Sequence, residues 1–251
     1  MSFVSIQERD GGVAVLALDR PPANAFSPEL IADLAAAVAG SASSRAVVLT
    51  STDPKIFSGG WDLLKVSTFS RERMKEFLDA YCDLVRQLFA FPSPLVAALP
   101  GHAIAGGLIV AAAADERYVA DGAARVGLSE VALGVPLPAC CLELFRFVLG
   151  SRAMERLTAS AENMPVERAL AIGLADRAIP PGDLLAAAVE RAGALARGSA
   201  RAYAETKRRA RAEALARFDS ARGDDPFLDF WFSDDARRRI SELVQKLSKK
   251  N

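Results

Sequence analysis

The stretch PGHAIAGGLIVAAAAD, residues 100–115, combines a turn, two adjacent glycines and a run of small apolar residues. Glycine lacks a Cβ, so two glycines at the start of an apolar segment indicate that another group comes close to the backbone there. The identity of that group has to come from the rest of the chain.

Strands and helices alternate on both sides of this stretch. The apolar run LVAAL (95–99) precedes it and ERYVA (116–120) follows it, and both predict short strands, with the glycines opening a buried helix between them. Helical spacing of apolar residues over 71–90 predicts a helix before the first of these strands. Near the N-terminus, two apolar runs flank Asp-Gly-Gly (10–12), which predicts a hairpin. The alternation continues to about residue 180 and predicts an α/β fold.

The last third of the chain is helix-forming throughout. Ser233, followed by two aspartates, predicts a helix start. The basic run 207–209 is interleaved with acids such as Glu205, which favours a solvated helix face over a nucleic-acid site. We therefore divide the chain into an α/β core, residues 1–196, and a C-terminal helical region, residues 197–251.

Composition excludes several classes of partner. The 31 Lys and Arg balance the 31 Asp and Glu, so no net field attracts nucleic acid and we expect no nucleic-acid partner. Residues 89–114 include no Asp, Glu, Lys or Arg. Prolines interrupt that run, however, and its alanines and glycines favour insertion only weakly, so we expect no membrane span. The first ten residues show no leader pattern, and we expect a cytoplasmic protein.

The three cysteines predict neither a metal site nor a disulfide framework. Cys82, Cys140 and Cys141 are too few and too badly spaced for a zinc site, so no metal is expected. Adjacent cysteines rarely pair with each other, and an odd number argues against a disulfide scaffold. Free thiols fit a reducing compartment.

Two glycine-bearing loops are the candidate site. KIFSGGWDLL (55–64) and AIAGGLIV (103–110) each follow a short apolar strand and precede a predicted helix. Loops at the carboxyl ends of strands form the usual crevice of α/β proteins, and two backbone N–H groups aimed at one point would make an oxyanion hole. Two tight turns, with glycines chosen for conformation alone, explain the same spacing. Neither loop has the pattern of a phosphate cradle.

Four ordered motifs resemble the crotonase (enoyl-CoA hydratase/isomerase) superfamily over roughly residues 3–180. They are VAVLALDRPPANAFSPEL, KIFSGGWDL, PGHAIAGG and RVGLSEVALGVPLP. The resemblance implies a spiral of ββα units with a C-terminal helical region that builds a homotrimer or hexamer. It also implies chemistry on acyl-CoA thioesters through an enolate, with coenzyme A as part of the substrate and no other cofactor.

The resemblance assigns roles to individual residues. The oxyanion donors would be the backbone N–H groups of Trp61 and Gly106, so a thioester oxygen would be the group that approaches the glycines. The substrate and its CoA would be bound by Ala23, Ala25, Ser58, Gly59, Gly60, Asp62, Leu63, Gly107 and Ile109. Asp62 is also explained as the cap of the helix that begins there. His102, the only histidine, is expected to be structural.

The acids present favour one reaction within the superfamily. Hydratases of this family use two glutamates, and here those positions hold Ile109 and Glu130. Moving a proton between two carbons needs one base, so a lone Glu130 facing an apolar Ile109 fits a double-bond isomerase. An apolar pocket should also raise the pKa of Glu130. The central part of the sequence and its tail are most similar in pattern to mitochondrial-type Δ3,Δ2-enoyl-CoA isomerases.

Other functions stay open from the sequence. Glu130 acting alone could support weak hydration or another enolate reaction, and the chain could be a family member that binds acyl-CoA without turnover. Trp61 replaces the small residue common at the first donor position. Its indole should reshape the acyl pocket.

Overall fold

The protein is described from a computed structural model that covers residues 2–222 and 226–249. The strands, in chain order, are β1 (Val4–Arg9), β2 (Val13–Leu18), β3 (Ala46–Ser51), β4 (Ile56–Ser58), β5 (Leu95–Leu99), β6 (His102–Ile104), β7 (Glu116–Ala120), β8 (Arg125–Gly127), β9 (Asn163–Pro165) and β10 (Arg177–Ile179). The α-helices are α1 (Pro28–Gly40), α2 (Leu63–Val66), α3 (Arg71–Phe89), α4 (Gly106–Ala112), α5 (Ala139–Ser160), α6 (Val166–Ala171), α7 (Leu184–Leu195), α8 (Ala200–Ala221), α9 (Phe227–Trp231) and α10 (Asp234–Ser248).

The strands form two sheets, and consecutive strands are divided between them. The larger sheet has the order β1-β2-β3-β5-β7-β10, and the smaller has the order β4-β6-β8-β9. Each pair β3–β4, β5–β6 and β7–β8 therefore contributes one strand to each sheet before the chain turns into a helix. This repetition is the predicted spiral of ββα units, and the α/β prediction is confirmed.

The hydrophobic interior lies on both faces of the larger sheet. On β3, Val47 and Leu49 face the main core, whereas Ala46 and Val48 face a second cluster under α7. A parallel strand covered on both sides is apolar at every position, which explains why these strands have continuous apolar sequences. The predicted hairpin at 10–12 and the helix predicted over 71–90 are both present.

Five strands of three residues each were not predicted: β4, β6, β8, β9 and β10. Residues 100–105 were expected to form only a turn before the buried helix, but they contain β6, which pairs with β4 and β8 in parallel. Three residues are too few to show a periodic pattern, so their pairing depends on the strands beside them. No helix in the described ranges is both long and apolar enough to cross a bilayer.

The described C-terminal helices share the main core. The apolar side chains that join it from this region are Ala214, Phe218, Phe227, Trp231, Ala236 and Ile240. The predicted boundary at residues 196 and 197 falls between α7 and α8. The division into two regions stays a prediction, as does trimer formation.

Helix α8 is attached to the core through the carboxylate of Asp115. Asp115 accepts from Lys207 Nζ at 2.8 Å, from Arg211 Nη2 at 2.7 Å and from the backbone N–H of Leu95 at 2.7 Å. The two basic side chains are each 8% exposed. A buried charge is tolerated only when it is paired, so these three residues depend on one another.

The solvated-face prediction for residues 207–209 is therefore wrong for Lys207. Its side chain is buried and paired with Asp115, because α8 turns this position towards the core. Arg208 and Arg209 do face solvent and pair with Glu205. Sequence spacing alone did not separate the buried position from its exposed neighbours.

The spacing of the cysteines in the sequence did not indicate that they lie together, and the expectation of no metal stays a prediction. Cys82 on α3 and the pair Cys140–Cys141 on α5 are far apart in sequence, yet their Sγ atoms all lie within 4.8 Å of one another. The packing of α3 against α5 brings them together.

Gly107 allows α4 to pack directly on the end of β4. A Cβ at position 107 would lie 2.5 Å from the carbonyl oxygen of Ser58 and 2.8 Å from its Cβ. Backbone atoms of a strand that is paired with its neighbour have little freedom to move, so a side chain would force the helix away from the strand.

Replacing Asp115 with alanine should destabilise the protein by about 3–5 kcal/mol, because Lys207 and Arg211 would remain buried without a carboxylate. Equilibrium unfolding in urea measures this loss. The matched control is Glu205→Ala, which removes exposed ion pairs of the same helix and should leave the midpoint unchanged. Equal midpoints for the two variants would contradict the anchoring role of Asp115.

Gly107→Ala should lower the free energy of unfolding by about 1–3 kcal/mol through overpacking against Ser58. Gly182→Ala is the control, since a Cβ there has no neighbour within 4 Å and the backbone does not need glycine. Thermal unfolding of both variants compares the two sites. A tolerated Gly107→Ala would mean that α4 is not seated on β4 as described.

Candidate active site

The candidate site lies at one end of the smaller sheet, where three parallel strands finish side by side. Ala103 of β6 is paired with Val126 of β8, and β4 runs parallel to β6 on its other side. The loops after these strands carry Trp61, Gly106 and Glu130 in turn. The carboxyl ends of parallel strands meet at one edge of a sheet, so three distant parts of the sequence converge there.

The loop after β4 leaves the backbone N–H of Trp61 free of strand pairing. Phe26 donates to the carbonyl of Gly60 at 2.7 Å and accepts from the N–H of Asp62 at 2.9 Å, and so forms a parallel bridge opposite Trp61. In such a bridge the partner strand bonds the residues on either side of the bridged residue, whose own N–H points the opposite way.

The second N–H belongs to Gly106, the first residue of α4. Ala105 before it has φ 50° and ψ −124°, and the first bond of the helix runs from Ile109 N–H to the Ala105 carbonyl at 3.1 Å. An N–H in the first turn has no acceptor inside its own helix. The two loops touch: a Cβ at Gly60 would lie 3.3 Å from the Gly106 nitrogen.

A buried polar residue, Asn24, fixes the first loop. Its side chain donates to Ser51 Oγ at 2.7 Å and to the carbonyl of Phe57 at 3.1 Å, and accepts from Arg20 N–H at 2.7 Å. Ser58 Oγ donates to the Asn24 carbonyl at 2.7 Å. Asn24 is 3% exposed and φ is 47° there, a conformation that asparagine tolerates better than most residues. The site residues predicted from the sequence include its neighbours Ala23 and Ala25 but not Asn24.

Protein groups occupy the space beside the two glycines. A Cβ at Gly106 would lie 2.8 Å from Trp61 Cδ1 and 3.1 Å from the hydroxyl of Tyr81, which donates to the Gly106 carbonyl at 2.5 Å. At Gly107 the neighbour is Ser58. Close packing within the protein therefore explains why positions 106 and 107 are glycines. Of these two residues, only Gly106 is expected to contact a ligand, through its backbone N–H.

Trp61 is the centre of an aromatic wall. Its ring packs edge-on against Phe77, Tyr81 and Phe227, with centroids 5.1–5.5 Å apart, and lies 6.0 Å from Trp231. Its indole nitrogen is buried and has no hydrogen-bond partner among the described residues. The C-terminal helix α9 supplies Phe227 and Trp231, a contribution that no sequence motif indicated.

Glu130 presents its carboxyl group to a dry environment. Its Oε2 atom is buried and has no hydrogen-bond partner within residues 2–222 and 226–249. Burial raises the pKa of Glu130 to about 7, against the opposing effect of the backbone N–H groups of Glu130 and Ser129. The expected direction of this shift is confirmed, and its cause is the loss of hydration of the charged form.

These groups surround a cavity of about 340 Å³. Six of the predicted site residues line it: Gly59, Trp61, Leu63, Gly106, Ile109 and Glu130. The cavity is closed by apolar side chains from the C-terminal helices, including Leu243 and Leu247 of α10. Glu130 is the sole acid among the described lining residues, and Ile109 of α4, which also lines the cavity, is 1% exposed.

The other predicted binding residues lie outside the cavity wall: Ala23, Ala25, Ser58, Gly60, Asp62 and Gly107. Asp62 caps α2 by accepting from the N–H of Lys65 at 3.2 Å, and also pairs with Arg20 at 2.6 Å. Its carboxylate is committed to these two partners, so the capping explanation holds. His102 Nδ1 accepts from the N–H of Arg125 at 3.0 Å, which is a structural role.

Comparison with known proteins places this geometry in a family. The profile described as Enoyl-CoA hydratase/isomerase matches residues 8–224. The mitochondrial enoyl-CoA delta isomerase 1 of Rattus norvegicus is 31% identical over 178 residues, which are 69% of this chain and 62% of that protein's length. The probable enoyl-CoA hydratase EchA17 of Mycobacterium tuberculosis is 34% identical over 188 residues, 74% of this chain and 71% of that protein.

A solved structure extends the likeness to the whole chain. The crystal structure of human mitochondrial delta3-delta2-enoyl-CoA isomerase matches with a TM-score of 0.93 and 26% identity, and the match covers 100% of both chains. The motifs, the two sheets and the matched profile agree with one another. The chain belongs to the enoyl-CoA hydratase/isomerase family, as its motifs predicted.

Proposed function

We propose that the protein is an acyl-CoA double-bond isomerase that converts a 3-enoyl-CoA into a 2-enoyl-CoA. The observation that carries the proposal is the Glu130 carboxyl, which has a buried oxygen and is the one acid among the described residues that line the cavity. The thioester oxygen accepts from the backbone N–H groups of Trp61 and Gly106. Glu130 removes a proton from C2, the negative charge of the dienolate rests on that oxygen, and the same carboxyl returns the proton at C4.

The apolar Ile109 in the cavity lining supports isomerisation over hydration. Adding water across a double bond requires groups that hold water and also handle the proton, and Ile109 offers neither. A proton shift needs only one group whose pKa lies near neutrality, because the proton must be taken up and released with comparable ease. Burial of Glu130 provides such a pKa.

The CoA moiety of the substrate is proposed to lie along the loop that precedes the cavity. Ala23 and Ala25 are partly exposed beside Gly59, whose N–H donates to the Ala23 carbonyl at 2.9 Å. Small side chains there leave the approach to the cavity open. We also propose a homotrimer or hexamer, with the helical region 197–251 in the contact.

Hydration is the second candidate, because relatives of similar identity bear hydratase names. It would use the same two N–H donors, with Glu130 as the only acid–base group. The two activities separate in one experiment: 3-hexenoyl-CoA reports isomerisation, and crotonyl-CoA reports hydration. We expect turnover of the first and little of the second. A family member without catalytic function would bind CoA esters and turn over neither.

Glu130→Gln should lower kcat on 3-hexenoyl-CoA by about 10²–10⁴-fold, the contribution of a general base, while binding of the substrate persists. Glutamine keeps the size of the side chain and removes the ionisable proton. The absorbance of the conjugated product measures the rate. Glu155→Gln, an exposed position on α5, is the control and should match the parent protein. Full activity of Glu130→Gln would end the single-base proposal.

The value of kcat/KM should rise with pH, with an inflection near the pKa of about 7 for Glu130, and level off above it. Only the ionised carboxylate removes a proton, so each pH unit below the inflection should cost about tenfold. Initial rates between about pH 5 and about pH 9 test this. An inflection near the ordinary value for glutamate would contradict the dry environment of the carboxyl.

A further inference from the structure

A cluster of three thiols lies outside the cavity and has no part in the proposed reaction. The Sγ atom of Cys140 lies 3.0 Å from that of Cys82 and 3.9 Å from that of Cys141. The three residues are 0–3% exposed. They are the only cysteines of the chain, so every thiol it possesses is gathered at one buried point.

We propose that this cluster binds one monovalent copper ion through three thiolate ligands. Thiolates are soft donors, and they select soft ions such as Cu(I) over ions that prefer oxygen. Structural zinc sites take four protein ligands, and no His, Asp or Glu in the described residues joins the three sulfurs. Three sulfurs, with no fourth ligand among the residues that the structure describes, fit the low coordination number that Cu(I) accepts.

The distances are close to those a trigonal site needs. Metal–sulfur bonds of about 2.3 Å in a plane separate the sulfurs by about 4 Å. The pair Cys140–Cys141 already has this separation, at 3.9 Å. Cys82 Sγ would have to move outward by about 1 Å, a movement that a rotation about χ1 supplies.

Positive groups around the cluster would also stabilise the negative charge of three thiolates. Cys140 and Cys141 lie in the first turn of α5, where the helix end carries partial positive charge. The positively charged Arg222 guanidinium lies within electrostatic range of Cys82 and Cys140. It is held at α3 by Asp83 and by the Asp79 carbonyl.

A bound ion would link two walls of the candidate site. Cys82 follows Tyr81, whose hydroxyl donates to the Gly106 carbonyl, and Pro138, just before α5, lines the cavity. Copper would therefore join α3 to α5 beside the residues that shape the pocket. The binding itself depends on the thiols alone and not on the proposed isomerase activity.

The test is a titration of the reduced, full-length protein with Cu(I) under anaerobic conditions, against a chromophoric Cu(I) chelator. We expect one copper per chain and an X-ray absorption spectrum with three sulfur neighbours and no nitrogen or oxygen. Cys82→Ser and Cys82→Ala should each weaken binding by at least about 100-fold. Two substitutions are used because a buried hydroxyl and a small cavity perturb folding differently.

Val85→Ala is the matched control, because it removes buried volume one turn along α3 and keeps all three thiols. It should bind copper as the parent protein does. Undiminished binding by the Cys82 variants would mean that the adjacent pair holds copper alone, and would overturn the proposal. So would a reduced protein that binds no copper, whether its thiols merely pack in the core or two of them oxidise to a disulfide in air.

Discussion

The parallel pairing of β4, β6 and β8 is the constraint on which the candidate site depends. Each of these strands has three residues, and each ends in a loop that carries one of the groups assigned to the reaction. A slip of one residue in β8 would turn its side chains to the opposite face and carry Glu130 away from the two amides. The pairing fixes where each of the three strands ends along the sheet. The buried hydrogen bonds of Asn24 and Ser58 hold the loop after β4 in place against the sheet.

The site keeps several groups in states that folding alone would disfavour. Among the described residues, neither the buried Glu130 Oε2 atom nor the Trp61 indole nitrogen has a hydrogen-bond partner, and Ala105 adopts a positive φ. Because the pKa of Glu130 is raised in the folded chain, its contribution favours the folded state while the carboxyl is protonated. That contribution is lost as pH rises from about 4.5 through about 7. Energetically unfavourable groups of this kind are found mainly at functional sites.

Local signals in the sequence predicted the parts of the fold that depend on local chemistry. The Asp-Gly-Gly hairpin and the Ser233 helix cap were confirmed, and so was the amphipathic α3. Features that depend on distant partners were missed or misjudged: β6, the buried Lys207, the cysteine cluster and the aromatic wall from α9. Their neighbours in space lie far away in sequence, so no periodic pattern reveals them. The Ile109–Glu130 pair was found because family motifs carry three-dimensional information that spacing lacks.

The aromatic wall has a consequence for how the molecule can be altered. Trp61, whose backbone N–H is one proposed donor, touches side chains of both α3 and the late helix α9. A chain truncated before α9 would therefore lose one side of the packing that orients the loop after β4. Helix α9 is synthesised long after Trp61 and completes the packing around it, so the loop after β4 should reach its final conformation only once α9 has left the ribosome.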